Sequence, residues 1–223
     1  MLHDIAGGDR LAIADMRHTV TAFAGAWPYL QLIGGVTGRD PLDGDVVEAY
    51  WLGNGLLSAI DTLTWGNSVD DRFRGRAGSD WAMISRGIEA GGVPNHSFHV
   101  YCVYPWVGLL RSGMVDHALG VLDKCRIRWG VVDSVVDAHV VVRSRPLVWT
   151  GRTLALGPDR LETVDQSIDP TATVGPHDIV AMHWNYVCQK ITSDQLHFLD
   201  ANHRRHIAIV NAQTRRLAEV VES

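Results

Sequence analysis

The chain has 223 residues, of which 46% are hydrophobic and 20% charged, with a formal net charge of −5. This composition predicts a packed globular protein and excludes a disordered chain. It also argues against a nucleic-acid partner, because no stretch is strongly basic, and against a membrane span, because no run approaches the roughly 18 apolar residues required. The first residues lack the basic flank and apolar run of a signal peptide, so we expect a cytoplasmic protein.

The first part of the chain has helical periodicity. Apolar residues recur every three or four positions from Asp9 to Leu32, which predicts an amphipathic helix broken near Pro28 and ended by Gly34 and Gly35. Asp43 or Asp45 can cap a second helix over residues 46–60. The polar, aperiodic stretch 67–77 predicts a surface segment. Further helices are predicted at 79–88, capped by Ser79 or Asp80, at 97–110, interrupted by Pro105, and at 115–122.

After residue 122 the pattern becomes that of short β-strands. Residues 126–132 begin with a period-two alternation, and 138–145 contain the β-branched run Val140-Val141-Val142. Three more strands are predicted at 153–156, 161–164 and 178–183, and five short strands suggest a small barrel. Thr192 and Gln195 have the spacing of a capping box, which predicts a helix to about Val221.

These elements predict an α+β fold in three parts. A helical domain covers residues 1–122, a small β-barrel covers 123–191, and a C-terminal helix covers 192–223.

The cysteines and histidines carry the candidate chemistry. An odd number of cysteines, Cys102, Cys125 and Cys188, argues against a disulfide framework, and each on its own is more often a buried apolar thiol. Cys125 lies at the start of the first predicted strand and His183 near the end of the last, and distant strand ends can meet at one rim of a small barrel. A thiolate and an imidazole form a soft ligand pair suited to iron, zinc or copper, and two ligands suit delivery better than storage. The alternative is a buried cysteine and a surface histidine.

The segments around these two residues resemble a known family. CRIRWGVV (125–132) resembles the opening of the HypC-type OB-fold chaperones of nickel–iron hydrogenase maturation, GPHDIVAMH (175–183) is similar to a later strand of that family, and 191–199 to its terminal helix. The resemblance implies an OB-like barrel and implies that Cys125 and His183 hold an iron fragment for transfer. The family's cysteine is next to its N-terminus, whereas Cys125 is internal, and Trp129 or its neighbour replaces the usual proline.

The whole chain is also similar to a family of uncharacterised actinobacterial proteins often found beside hydrogenase genes. The segments EAYWLGN (48–54), HSFHV (96–100), YPWVGLL (104–110) and CRIRWG (125–130) carry this resemblance. Members of that family begin with an additional cysteine-containing segment. The resemblance therefore implies a truncated relative, with the family role or with a new one in biosynthesis.

His96 and His99 form a second candidate site, because residues three apart share a helical face and can share a metal or an acidic ligand. Their hydrophobic neighbours would lower the imidazole pKa values and keep both rings neutral. The alternative is one helix cap and one histidine in an aromatic core. Glu48 is a candidate general base if it faces a pocket, or else a first-turn glutamate favoured by the helix dipole. The histidines of the last helix, His197, His203 and His206, are predicted to lie on a solvated face.

Two functions follow from these sites. The first is an accessory protein of the maturation type, which binds iron or zinc, or a metalloenzyme precursor, through Cys125 and His183. The alternative is a small repurposed enzyme, in which Glu48, His96 and His99 act on a small organic substrate in a pocket between the helical part and the barrel. No phosphate-binding loop, dinucleotide fingerprint or nucleophile elbow supports nucleotide chemistry. Eight tryptophans are equally consistent with a homodimer interface.

Overall fold

The computed structural model describes residues 18–23, 25–77, 81–104, 109–110, 113–166 and 173–221, with the side chains of 70–77 and 217–221 left out of the description. Helices extend to Cys125, seven strands follow, and a long helix ends the described chain. The predicted α+β class, with a small closed barrel and a C-terminal helix, is confirmed. Within these ranges, no helix has the length and apolar character needed to cross a membrane.

The helical region is built around one hydrophobic core. Its buried residues include Tyr29, Tyr50, Phe98 and Leu122, and the C-terminal helix contributes Val210. The helices are α1 (Trp27–Thr37), α2 (Gly44–Trp51), a 3-10 helix (Gly55–Ala59), α3 (Thr62–Ala77), α4 (Trp81–Glu89), α5 (His96–Phe98), which continues as a π-helical turn (His99–Val103), α6 (Val115–Cys125) and α7 (Ser193–Val221).

The glycines of the first helix do not end it, contrary to prediction. Helix α1 passes through Gly34 and Gly35, ends at Thr37 and is capped by Gly38, which has a left-handed φ of 69°. A Cβ on Gly34 would lie 2.8 Å from the carbonyl oxygen of Arg39, so a glycine at this position allows the returning chain to approach closely.

Two further boundaries in this region were predicted wrongly. The helix predicted over 46–60 divides at Gly53, because its φ of 92° is incompatible with a right-handed helix. Helix α2 therefore ends at Trp51, and a 3-10 helix follows. The stretch 67–77, predicted as a surface segment, is the second half of α3. Asp61 caps α3 by accepting from the backbone N–H of Thr64 at 2.8 Å. The apolar face of α3 begins at Trp65, before the stretch 67–77. The predicted positions 9–17, Ser79, Asp80 and Pro105 lie outside the described residues.

Five strands close into a barrel in the order β1-β2-β5-β7-β6. The pairing of β5 with β7 is parallel and the other pairings are antiparallel, which gives a small OB-like barrel. A separate hairpin, β3-β4, interrupts the barrel sequence. The strands are β1 (Arg128–Val136), β2 (His139–Ser144), β3 (Leu147–Trp149), β4 (Leu154–Leu156), β5 (Arg160–Asp165), β6 (Ile179–His183) and β7 (Tyr186–Lys190).

The barrel and the helical region are joined by a small apolar cluster. Ile127 and Ala181 come from the barrel side, Leu52 from the end of α2, and Leu199 from α7. The predicted capping box starts α7: the backbone N–H of Thr192 donates to Gln195 Oε1 at 2.9 Å, and that of Gln195 donates to Thr192 Oγ1 at 3.2 Å. Helix α7 then runs from this junction back across the helical core, so the two parts are held together at the site described below.

We expect Gly130→Ala to destabilise the protein by about 1–3 kcal/mol, because it overfills a tightly packed part of the barrel. A Cβ on Gly130 would lie 2.4 Å from the carbonyl oxygen of Arg143 on the paired strand. Gly120→Ala is the matched control, since this exposed position in α6 has no atom within 4 Å of an added Cβ, and alanine there should stabilise the helix by up to about 1 kcal/mol. Urea unfolding of both variants measures the difference, and equal effects would contradict the packing argument.

Candidate metal centre

Three side chains of ligand type meet where the helical region joins the barrel. One potential ligand atom from each of His96, Cys125 and His183 lies within 4.8 Å of the other two. His96 is the first residue of α5, Cys125 is the last of α6, and His183 is the last of β6. The rings of His96 and His183 are nearly perpendicular, with centroids 5.3 Å apart. This group has the geometry of a candidate His-Cys-His metal site.

The segments that carry Cys125 and His183 are tied together through the backbone. The N–H of Trp184 donates to the carbonyl oxygen of Lys124 at 2.8 Å, and Arg128 Nη2 donates to the carbonyl oxygen of Trp184 at 2.6 Å. Trp184 has a φ of 52°, a left-handed conformation that is uncommon for a residue with a side chain. These two hydrogen bonds hold that turn, which places His183 beside Cys125.

His96 is oriented by two hydrogen bonds. Its Nε2 lies 2.8 Å from the carbonyl oxygen of Cys125, and its Nδ1 lies 3.2 Å from the Tyr50 hydroxyl, whose single proton can be donated either to that nitrogen or to the carbonyl oxygen of Gly25 at 2.9 Å. A carbonyl oxygen only accepts, so Nε2 carries the imidazole proton in this arrangement. Because a hydroxyl can donate or accept, Tyr50 can also take an N–H from Nδ1 when Nε2 gives up its proton to bind a metal.

Burial sets the protonation states at this site. It lowers the pKa of His96 to about 3, against the opposing effect of the hydrogen bond to the Cys125 carbonyl, and it lowers the pKa of His183. Burial also raises the pKa of the Cys125 thiol. The imidazoles are therefore neutral at neutral pH, which is the form that binds metals. The thiol must lose a proton on binding, so metal uptake would release one proton for each thiolate formed.

His183 has a buried nitrogen that lacks a hydrogen-bond partner among the described residues. Its Nε2 is inaccessible to solvent and forms no hydrogen bond with any described residue. A buried polar atom left without a partner costs about 1–3 kcal/mol, and such an atom calls for an explanation. A metal ion held between this histidine, His96 and Cys125 provides one.

A cleft of about 340 Å³ lies beside one of the three candidate ligands, His183. His183 contributes to its wall, together with Glu48, Trp51, Cys188, Gln189 and apolar side chains of both parts of the protein. The ring of Trp51 packs against both histidines, with centroid distances of 4.6 Å to His96 and 5.6 Å to His183. His183 is therefore the member of the three-ligand group that lines the cleft.

One known protein family matches nearly the whole chain. A family model described as "Family of unknown function (DUF6390)" matches residues 3–217. The chain belongs to this family. No curated protein and no solved structure matches it. The description of this family names no function, so the similarity of residues 125–199 to maturation chaperones gains no support from these comparisons.

In this DUF6390 chain, the other two predicted site residues lie outside the three-ligand group. Glu48 lines the cleft, where its carboxylate oxygens accept from Asn54 Nδ2 at 3.1 Å and from Gln195 Nε2 at 2.5 Å. His99 turns toward Tyr29, whose hydroxyl lies 2.9 Å from His99 Nδ1, and burial lowers the pKa of His99 to about 4. The group found in the structure thus joins His96 to the predicted Cys125–His183 pair and does not include His99.

The histidines of α7 were predicted on a solvated face, and for two of them this is wrong. His203 and His206 are fully buried, whereas His197 is exposed. Positions 199, 203, 206, 207 and 210 form one stripe at helical spacing, and this stripe faces the core. His206 accepts at Nε2 from the backbone N–H of Val93 at 3.2 Å, so its Nδ1 donates to Ser97 Oγ at 2.7 Å. The spacing of these two histidines alone places them on the buried stripe, although histidine is a polar residue.

Sequence reasoning also missed the residues that support the site. Tyr50 and Trp51 orient and enclose His96, a role that their positions beside Glu48 in the sequence do not indicate. They reach it because α2 and α5 pack against each other, and no spacing rule predicts such a contact between distant helices. The aromatic character of residues 50 and 51, next to a cluster of candidate ligands, was the only available signal.

Proposed function

We propose that the chain is an accessory protein that binds zinc or iron(II) through His96, Cys125 and His183 and delivers the ion to a metalloenzyme precursor. The observation that carries this proposal is the convergence of one ligand atom from each residue within 4.8 Å. Metal–nitrogen and metal–sulfur bonds of about 2.0–2.3 Å place ligand atoms roughly 3.3–3.8 Å apart around a tetrahedral ion. Small side-chain rotations would therefore be sufficient to close the site.

The ligand set favours a borderline or soft divalent ion. Two neutral imidazoles and one thiolate suit zinc and iron(II), whereas magnesium and calcium prefer oxygen ligands. Structural zinc sites use four protein ligands, and a site with three leaves a position open. That position would be reached from the cleft whose wall includes His183, so the ion could be passed to another protein.

A second candidate is an enzyme that works at the same metal. The observation that favours it is Glu48, whose carboxylate lines the cleft together with His183 and could act on a metal-bound water. The acid–base role predicted for His96 and His99 is less well supported. With pKa values of about 3 and about 4, both rings stay neutral at neutral pH, which suits His96 as a ligand better than as a proton donor.

We expect the wild-type chain, purified without a histidine tag, to bind about one zinc or iron(II) ion, and Cys125→Ser and His183→Asn to lower the affinity at least 100-fold, because each removes a ligand. Elemental analysis and zinc titration by calorimetry measure this. His139→Asn is the matched control, because this exposed histidine pairs with Asp165 on the barrel surface, and its affinity should be unchanged. Unaltered zinc binding by both ligand variants, with thermal unfolding showing intact folds, would refute the proposal.

Hydrolytic turnover assays on the zinc-loaded protein separate the two candidates. Glu48→Gln keeps the size of the side chain and removes the carboxylate that would act as the base. Loss of turnover in this variant, with zinc affinity retained, would favour the enzyme. Transfer of zinc to an apo-metalloenzyme without any turnover would favour the accessory protein.

A further inference from the structure

We propose that Tyr50 is a positioning residue of the candidate metal centre, whose hydroxyl holds the His96 ring in the tautomer that leaves Nε2 free for the ion. This inference rests on the proposed metal binding and adds the residue that regulates its affinity. Tyr50 is 1% exposed, and its hydroxyl lies 3.2 Å from Nδ1 of His96. The other ring nitrogen, Nε2, lies 2.8 Å from the carbonyl oxygen of Cys125, whose thiol is one of the three candidate ligands. Nε2 is therefore the nitrogen on the Cys125 side of the ring, and Nδ1 is the one on the Tyr50 side.

The hydrogen-bonding groups around His96 are one proton short. Three contacts link them in a row: the Cys125 carbonyl to Nε2, Nδ1 to the Tyr50 hydroxyl, and that hydroxyl to the Gly25 carbonyl. Each contact needs a proton, but the neutral imidazole carries one and the hydroxyl carries one. With the ring proton on Nε2, Tyr50 can donate to Nδ1 or to the Gly25 carbonyl but not to both. The metal-free arrangement therefore leaves one of these two acceptors without the Tyr50 proton, which costs free energy.

Metal binding through Nε2 removes this shortage. When the ion occupies Nε2, the single ring proton lies on Nδ1 and is donated to the Tyr50 oxygen, and Tyr50 donates its own proton to the Gly25 carbonyl. The ring stays neutral, and neither side chain gains or loses a proton. Imidazoles that bind metals in proteins almost always donate their second N–H in this way, and the acceptor fixes the tautomer and the ring orientation.

The Cys125 carbonyl keeps a partner when Nε2 of His96 turns to the ion. Burial lowers the pKa of His183, and a hydrogen bond between its ring and the Cys125 carbonyl opposes this effect. Nε2 of His183 forms no hydrogen bond with a described residue, so Nδ1 is the nitrogen that donates to the carbonyl. His183 thus already has a bare nitrogen for a metal, whereas His96 has to change its tautomer. Tyr50 is the residue that accepts the relocated N–H.

The test compares the zinc affinities of full-length variants by calorimetry. We expect Tyr50→Phe to bind zinc about 10- to 100-fold more weakly than the wild type, because it leaves the Nδ1 proton of the bound imidazole without an acceptor. Tyr101→Phe is the matched control. The Tyr101 hydroxyl lies 3.0 Å from Nδ1 of His203, and this pair is as deeply buried but lies outside the three-ligand group, so zinc affinity should be unchanged.

A second measurement reports the tautomer and needs no variant of Tyr50. NMR spectra of the imidazole nitrogens in the wild-type chain should show the His96 proton on Nε2 without metal and on Nδ1 with zinc bound. A proton that remains on Nε2 in the zinc-loaded chain overturns the inference, because the ion would then not bind through this nitrogen.

The affinities separate positioning from a structural role. A purely structural role would lower the unfolding temperatures of both metal-free variants and leave their zinc affinities equal. Equal affinities in Tyr50→Phe and the wild type, or equal losses in Tyr50→Phe and Tyr101→Phe, overturn the role of Tyr50 while leaving the metal site in place. A wild-type chain that binds no zinc overturns the proposed function and this inference together.

Discussion

Lowering the pH from 7 to 5 should unfold this protein or bring it close to unfolding. Burial lowers the pKa of His96 and of His206 to about 3 and that of His99 to about 4, and it lowers the pKa of His203 well below the usual value. In the unfolded chain each histidine has a pKa of about 6.5. The folded state therefore favours neutral rings, and the stability that this provides is complete above pH 6.5 and is lost as the pH falls below it.

The size of this effect follows from proton linkage. Each such histidine costs about 1.4 kcal/mol for every pH unit below 6.5, or about 2 kcal/mol at pH 5. Four of them sum to about 8 kcal/mol, which is comparable with the whole stability of an ordinary domain, about 5–15 kcal/mol. Urea unfolding at pH 7.5, 6.5 and 5.5 measures the decline. A free energy of unfolding that stays constant over this range would show that the four rings are not buried as described.

His206→Gln tests the contribution of one ring. A glutamine amide offers an acceptor for the Val93 N–H and a donor for Ser97 Oγ, as His206 does, but it does not titrate. We expect the number of protons taken up on unfolding below pH 6.5 to fall by about one, so the free energy of unfolding declines less steeply as the pH is lowered. The control is the comparison of the same two proteins above pH 7, where His206 binds no proton in either state and the two slopes should be equal.

The elements that sequence reasoning predicted well are those whose local pattern and tertiary role agree. Val140 and Val142 alternate toward the barrel core, and Thr192 and Gln195 form the predicted capping box. Strand β7 was missed because, of its five residues, only Val187 is buried, so it carries no alternation that could be recognised. It is a strand because β6 and β5 pair with it, which is information that local sequence does not contain.

The candidate site could be predicted only in part, for a similar reason. Cys125 and His183 could be placed together because both stand at predicted strand ends. His96 could not be added to them, since its position depends on how α5 packs against α2 and α6, and helix packing is not encoded at a fixed spacing. The same holds for Trp51, which contacts both histidines from a third element.

Arg126→Met should destabilise the protein by about 3 kcal/mol, because it breaks a buried ion pair with Asp123 and leaves that carboxylate only the more exposed Arg160, whose Nη2 lies 3.3 Å from Asp123 Oδ2. Arg126 is 1% exposed, and its Nε and Nη2 donate to Asp123 Oδ1 at 3.1 and 2.9 Å. Its Nη2 also donates to the carbonyl oxygen of Arg145 at 2.6 Å. The matched control is Arg143→Met, which breaks an exposed pair with Asp133 and should cost no more than about 1 kcal/mol.

This buried pair also fixes the candidate metal centre, since Cys125 lies between its two partners in the chain. Asp123 Oδ1 accepts from the backbone N–H of Leu147 at 2.9 Å, so the pair links the end of α6 to the barrel side of the junction. Arg126→Met should therefore lower zinc affinity as well as the urea midpoint, whereas Arg143→Met should change neither by much. If Arg126→Met unfolded at the same urea concentration as Arg143→Met, the ion pair would not be what holds the end of α6. The position of the Cys125 thiol would then depend on the backbone hydrogen bonds of Trp184 to Lys124 and of His96 to Cys125.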